Sequence, residues 1–138
     1  MPTAALLVSS PVGTEKLTIN LGVVDLGQID LLVRDGFYSN RTDLIRTAIR
    51  NQLSVHADEL KRTVARQSLH LGLLDITRAE LEEACAAGKL LHIRVVGLAR
   101  IADDVSPKLA RAAIKSISVL GAFHASTAVR RALADRMK

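Results

Sequence analysis

Aromatic side chains are almost missing from this chain: 138 residues hold no Trp, one Tyr and two Phe. Phe37, Tyr38 and Phe123 are too few and too scattered to build a stacking platform for single-stranded nucleic acid. Cysteine is nearly missing too. With Cys85 alone no intrachain disulfide can form, which suits a reducing cytoplasm, the location expected here. No apolar run reaches the roughly 20 residues that a membrane-crossing helix needs. Residues 1–10 (MPTAALLVSS) hold a short apolar patch with no Lys or Arg ahead of it, so no secretion signal is expected. Pro2, Pro11 and Gly13 make residues 1–14 read as a flexible arm.

Enzyme signatures are missing as well. There is no phosphate-binding glycine loop, paired-histidine zinc motif or nucleophile elbow, so no enzymatic role is expected. Asp103-Asp104, just before Ser106-Pro107, reads as a solvated turn. His56, His70, His92 and His124 are scattered. Of the soft ligands His70, Cys85, His92 and His124, no two share metal-binding spacing on one element, so neither metal nor cofactor is expected. Cys85, in an alanine-rich stretch, reads as a small packed residue. Arg130, Arg131, Arg136 and Lys138 read as a solvated helix face.

What the chain does have is positive charge and pattern. The formal net charge is +5, which fits an anionic partner. Residues 1–66 hold eight Lys/Arg against seven Asp/Glu, and the rest hold eleven against seven. The excess lies mostly in the second half, so any case for nucleic-acid binding by the first half rests on placement.

Placement is informative in residues 15–53. In Lys16-Leu17-Thr18-Ile19-Asn20-Leu21 apolar and polar residues alternate, so a strand would put Leu17, Ile19 and Leu21 on one face and Lys16, Thr18 and Asn20 on the other. No second alternating strand follows within hairpin distance. A lone strand leaves its backbone unpaired, and the cheapest partner is the same strand of a second copy about a two-fold axis. Val23, Leu26, Ile29, Leu32 and Val33 predict a helix over Val23 to Arg34, stopped by Asp35-Gly36, with Phe37 and Tyr38 packed under the turn. Asn40 can cap a second helix and Asp43 can reach back to it. Leu44, Ile45, Ala48, Ile49 and Leu53 form its apolar stripe, off which Arg41, Arg46 and Arg50 fall. Such a helix start is a natural phosphate seat, and Asn40, Arg41 and Thr42 sit there.

The KLTINL strand, the DGFYSNRTDLIR turn and helix start, and the AIRNQL ending resemble the ribbon-helix-helix DNA-binding domain of Arc, MetJ and CopG type. The resemblance covers a little over a quarter of the chain. It departs from many members at Gly22-Val23-Val24, where they carry a proline and acidic residues. It implies an intertwined homodimer whose two strands form one ribbon in the major groove of double-stranded DNA. Lys16, Thr18 and Asn20 would then read base edges, and Asn40, Arg41 and Thr42 would clamp phosphate without reading sequence. The implied function is a sequence-specific transcriptional regulator, a repressor.

Beyond Leu53 the apolar positions Val55, Leu60, Val64, Leu69 and Leu71 predict a helix through residues 54–72, with Gly72 at its end. Thr77, with Glu80 three residues on, predicts a capped helix that Gly88 closes. Residues 90–96 read as a strand. Ile93-x-Val95-Val96-Gly97 is echoed 24 residues later by Ile117-x-Val119-Leu120-Gly121, and Val105, Leu109 and Ala110 by Val129, Leu133 and Ala134. Pro107 suits the first turn of a helix to Lys115, and Ser126 or Thr127 could cap another to Arg136. Two parallel strands joined by a crossover helix are expected, a thin sheet completed by a second subunit.

The fold expected is therefore α+β and mostly helical: an arm (1–14), a ribbon-helix-helix domain of one strand and two helices (15–53), then a helical extension with a small α/β region (54–138). That last region would join dimers into higher oligomers, or sense a ligand or protein partner. The second reading is an antitoxin that represses its own operon and binds its toxin through residues 54–138. Such antitoxins usually carry short polar tails that fold on the toxin. The tail here is long, apolar and patterned, so this reading ranks second. A plasmid-partition or DNA-architectural role would differ only in its target.

Overall fold

The computed structural model describes residues 13–138, so most of the expected arm, residues 1–12, lies outside the described residues. The chain is α+β and divides into two compact units, Lys16–Thr63 and a body formed by Val64–Lys138 with the segment that ends at Glu15. No helix is long and apolar enough to cross a membrane, among the described residues.

Three helices follow the opening segment. Helix α1 spans Val23–Arg34, α2 Arg41–Val55 and α3 Ala57–Arg66. Helix α1 has the expected bounds. It ends because Gly36, at φ +86°, takes a left-handed conformation. The turn closes with Phe37 N–H on the Leu32 carbonyl and Gly36 N–H on that of Val33. Phe37 does not pack under this turn: it is 71 % exposed, and Tyr38 is half-buried.

Residues 14–22 belong to neither helix nor strand in the single chain. The alternating segment thus has the pattern of a strand without strand pairing, since a strand needs a hydrogen-bonded neighbour. Helices α1 to α3 contain no buried residue.

The expected helix over 54–72 is shorter and is followed by something else. It breaks at His56 from α2, and α3 ends at Arg66. His70–Ile76 is then strand β1. Gly72, expected to stop a helix, lies inside that strand. Next come α4 (Arg78–Ala86), β2 (Leu91–Ile101), α5 (Pro107–Ala113), β3 (Ile114–His124), α6 (Thr127–Ala132) and a 3-10 turn (Ala134–Arg136). The sheet is not the thin pair expected. Its third strand is the chain's own β1, in the order β1-β2-β3, all parallel.

The body is thus three rungs of strand plus helix. Each of the three helices starts on a hydroxyl: Thr77 accepts from Glu80 N–H in a full capping box, Ser106 from Leu109 N–H, and Ser126 from Val129 N–H. These caps satisfy N–H groups that a helix start leaves orphaned, and they repeat with the rungs.

Side chains in register form ladders across the rungs. Ile93 and Ile117 pair, Val95 and Val119 pair, and Leu74, Ala99 and Phe123 line up. These meet Leu81 of α4, Ala110 and Ala113 of α5, and Val129 and Leu133 beside α6 in one core cluster. All three helices therefore cover the same face.

The opposite face carries the alternate residues. Leu71, Val96 and Leu120 form one ladder, Leu73, Leu98 and Ala122 the next, and Asp75, Arg100 and His124 a polar one. Leu98 is buried yet lies outside the helix-side core. Arg100 Nε donates to Asp75 Oδ1 at 2.6 Å.

Gly72, Gly97 and Gly121 stack in one column at φ +123°, +137° and +123°. A Cβ on Gly97 would lie 2.9 Å from the Gly72 carbonyl carbon and closer still to its oxygen. A Cβ on Gly121 would meet Gly97 in the same way. The column floors a groove of about 500 Å³ whose wall includes Gly13, Thr14 and Glu15. Across it His124 Nε2 and Glu15 Oε1 are 2.7 Å apart.

Candidate nucleic-acid interface

Within Lys16–Thr63 the expected base readers Lys16, Thr18 and Asn20 are all exposed. Their alternates are exposed as well, Leu17 at 80 %, Ile19 at 57 % and Leu21 at 40 %. In one copy the two faces of this segment differ in chemistry but not in burial.

The start of α2 is more ordered. Asn40 is extended, at φ −167° and ψ 177°, and its side chain accepts from Asp43 N–H at 2.8 Å. Asp43 reaches back one residue further than expected and accepts from Ser39 N–H at 2.9 Å. Thr42 is exposed in the first turn. The structure thus brings Asn40, Arg41 and Thr42 together at one helix start. Asn40 spends its side-chain oxygen on the cap, so its remaining donors would have to serve a phosphate.

Arg41 is engaged elsewhere. Its Nε donates to Asp30 Oδ1 at 2.7 Å and its Nη2 to Asp30 Oδ2 at 2.8 Å, a two-pronged pair that ties α2 to α1. Nothing in the sequence marked Asp30, which lies eleven residues upstream across a turn. The hydrogen bond from Arg41 holds the Asp30 carboxyl below its ordinary value of 3.8. The bond is therefore complete at neutral pH and is lost only as pH falls through that lowered value. An exposed pair of this kind adds little to stability, but it does compete with a phosphate for the guanidinium.

That competition predicts the behaviour of Asp30→Asn. Sequence-independent DNA affinity should rise, and the slope of log affinity against log salt should steepen by about 0.9 for each released arginine that reaches a phosphate. Affinity titrations in a salt series would show it. An unchanged slope would mean that Arg41 only braces the helices.

In the body, the scattered soft ligands have other engagements. His70 Nε2 is 3.1 Å from the Leu73 carbonyl, His92 Nδ1 is 2.8 Å from Ser116 Oγ, and Cys85 is half-buried. No three His, Cys, Asp or Glu residues gather as a metal site among the described residues. Arg136 is not on a solvated face as expected. It donates to the Arg111 and Ile114 carbonyls and is half-buried. Arg111 in turn bonds Asp135 at 2.7 Å.

A capped helix start and an exposed alternating polar segment in one unit are features that a nucleic-acid-binding protein can use. The family is now definite. A model of the ribbon-helix-helix transcriptional regulator family matches residues 12–130, so the chain belongs to that family and is a DNA-binding transcriptional regulator. No curated protein and no solved structure gives a significant match.

Proposed function

We propose that this protein is a homodimeric repressor that acts in the cytoplasm and reads the major groove of its operator through a ribbon built from residues 16–21 of two copies. One observation carries the reading. Among the described residues every buried apolar one lies between Ile76 and Leu133, while Leu17, Ile19, Leu21, Val23 and Ile49 are exposed in the single chain. A unit with an apolar face and no core of its own is half of something. Pairing two copies would turn Leu17, Ile19 and Leu21 onto the helices and leave Lys16, Thr18 and Asn20 toward base edges. Asn40, Arg41 and Thr42 would seat on flanking phosphates. Residues 15–53 are then the DNA-binding domain, and residues 54–138 join dimers.

The antitoxin reading calls for a polar tail that folds on its toxin. Residues 64–138 instead carry a buried core, which favours the repressor.

The test is fluorescence anisotropy on the DNA upstream of the protein's own gene, with random duplex as control and salt as the variable. The Thr18→Ala/Asn20→Ala variant should bind the cognate site no better than random duplex and keep a salt-steep residual affinity. Each lost base contact is worth about 1–3 kcal/mol, and the dimer presents every position twice. If the variant still prefers the cognate site, the polar face of the segment does not read sequence.

A further inference from the structure

We propose that the three-rung body stacks head to tail with other copies, β1 of one chain adding in register to the open edge of β3 in the next. This names the surfaces for the joining role given above to residues 54–138. It does not depend on how the N-terminal unit meets DNA.

The two outer edges match. Among the described residues strand β1 pairs with β2 alone, and its register runs from His70 on Val95 to Asp75 on Arg100 and Ile76 on Ile101. Carried one rung further, the same positions reach Val119 and His124 on β3. The outer edge of β3 is partly taken by the chain itself. Met137 bridges to Ile117, and Lys138 N–H donates to the Ile117 carbonyl at 2.8 Å. The tail therefore covers β3 up to Ile117, and the stretch it leaves open, Val119–His124, is the stretch that a second copy's His70–Asp75 would pair with. Strand β1 (HLGLLDI) and this open stretch (VLGAFH) contain no Lys or Pro, the residues that usually blunt a sheet edge.

The ladders have the same open ends. Leu71 and Leu120, at the two ends of their ladder, are each 66 % exposed, while Val96 between them is half-buried. A second copy would set Leu71 beside Leu120, apolar on apolar, and Asp75 beside His124. The glycine column points the same way. The Cβ positions of Gly97 and Gly121 are filled by the carbonyl of the rung before, whereas no described residue comes within 4 Å of that of Gly72. Gly121 of a preceding copy would fill it. Because the two surfaces differ, the contact is not self-complementary, and it builds assemblies larger than a dimer.

Disulfide trapping tests the register. In a Cys85→Ala background, Leu71→Cys and Leu120→Cys would lie on neighbouring rungs about 4.8 Å apart only across the proposed contact. Within one chain they are two rungs apart, roughly 9.6 Å, beyond disulfide reach. Oxidation of the double variant should give a covalent ladder of three or more chains. Mixing the two single variants should give the mixed pair and neither self-pair. Leu73→Cys with Leu120→Cys, two positions out of register, should not link. A double variant that stops at two chains, or links no better than the out-of-register pair, would overturn the proposal. So would sedimentation of the unmodified protein as a uniform dimer at tens of micromolar. A dimer without cross-links would leave the repressor reading standing, since that reading needs only two chains.

Discussion

Gly97→Ala should strip the C-terminal body of a large part of its stability. The alanine would have to hold φ near +137°, a region essentially closed to side chains, at a cost of about 1–3 kcal/mol. Its Cβ would also meet the backbone of Gly72, which is fixed by the β1–β2 pairing and cannot rotate aside as a side chain would. The sum should exceed about 4 kcal/mol, a rare loss for a single substitution, set against a typical domain stability of about 5–15 kcal/mol. Gly121→Ala should cost about as much, because its Cβ meets Gly97 in the same way. Gly72→Ala meets nothing among the described residues of a single chain and should cost only the conformational strain wherever the bodies are not stacked. Urea denaturation followed by circular dichroism would rank the three. In protein dilute enough to keep the bodies apart, equal losses at all three positions would mean that φ alone sets the cost and that the rungs are not in close backbone contact.

The same column explains what was legible in the sequence. The echo between residues 93–97 and 117–121 located two rungs because it repeats at one spacing and carries Gly97 and Gly121. The third rung holds the same device in His70-Leu71-Gly72-Leu73, but at an offset of 25 from β2 where β2 and β3 are 24 apart. One extra residue between rungs hides the repeat from a fixed-offset comparison. Leu69 and Leu71 also continued a helical spacing begun at Val55, and periodicity cannot decide a short apolar stretch between helix and strand. The missed rung then produced the mistaken expectation of a thin sheet in need of a second subunit.

At the candidate nucleic-acid interface the caps were legible, because Asn40 and Asp43 act within one turn of chain. Asp30 was not. Its pairing with Arg41 depends on how α1 returns against α2, which no spacing encodes. Arg136 was misread for a similar reason: its partners are carbonyls of α5 and of the start of β3, 25 and 22 residues upstream.

Ile19→Lys should abolish the dimer and, with it, the helical order of the N-terminal unit. Ile19 is the middle residue of the apolar face of the segment and 57 % exposed in one copy. In a paired ribbon it would be covered in both. Burying such a side chain in full is worth about 1.5–3 kcal/mol; with 57 % of it left to cover in each copy a dimer loses about 2–3 kcal/mol, and the cost of burying two ammonium groups carries the total past about 3 kcal/mol. That is a rise in the dimer Kd of more than about a hundredfold. Thr18→Lys, on the other face, should leave the dimer intact. Mass alone would confuse this contact with stacking of the bodies, so the readout is helicity against concentration. Helices α1 to α3 have 12, 15 and 10 residues against 9, 7 and 6 in α4 to α6. Most of the helical signal therefore reports the N-terminal unit. In the wild type its thermal midpoint should rise with chain concentration, as it must where folding and pairing are one event. In Ile19→Lys that signal should be lost at every concentration reached, while the body retains its own transition. Full helicity in Ile19→Lys with no dependence on concentration would show that the unit folds without a partner, and the ribbon would lose its physical basis.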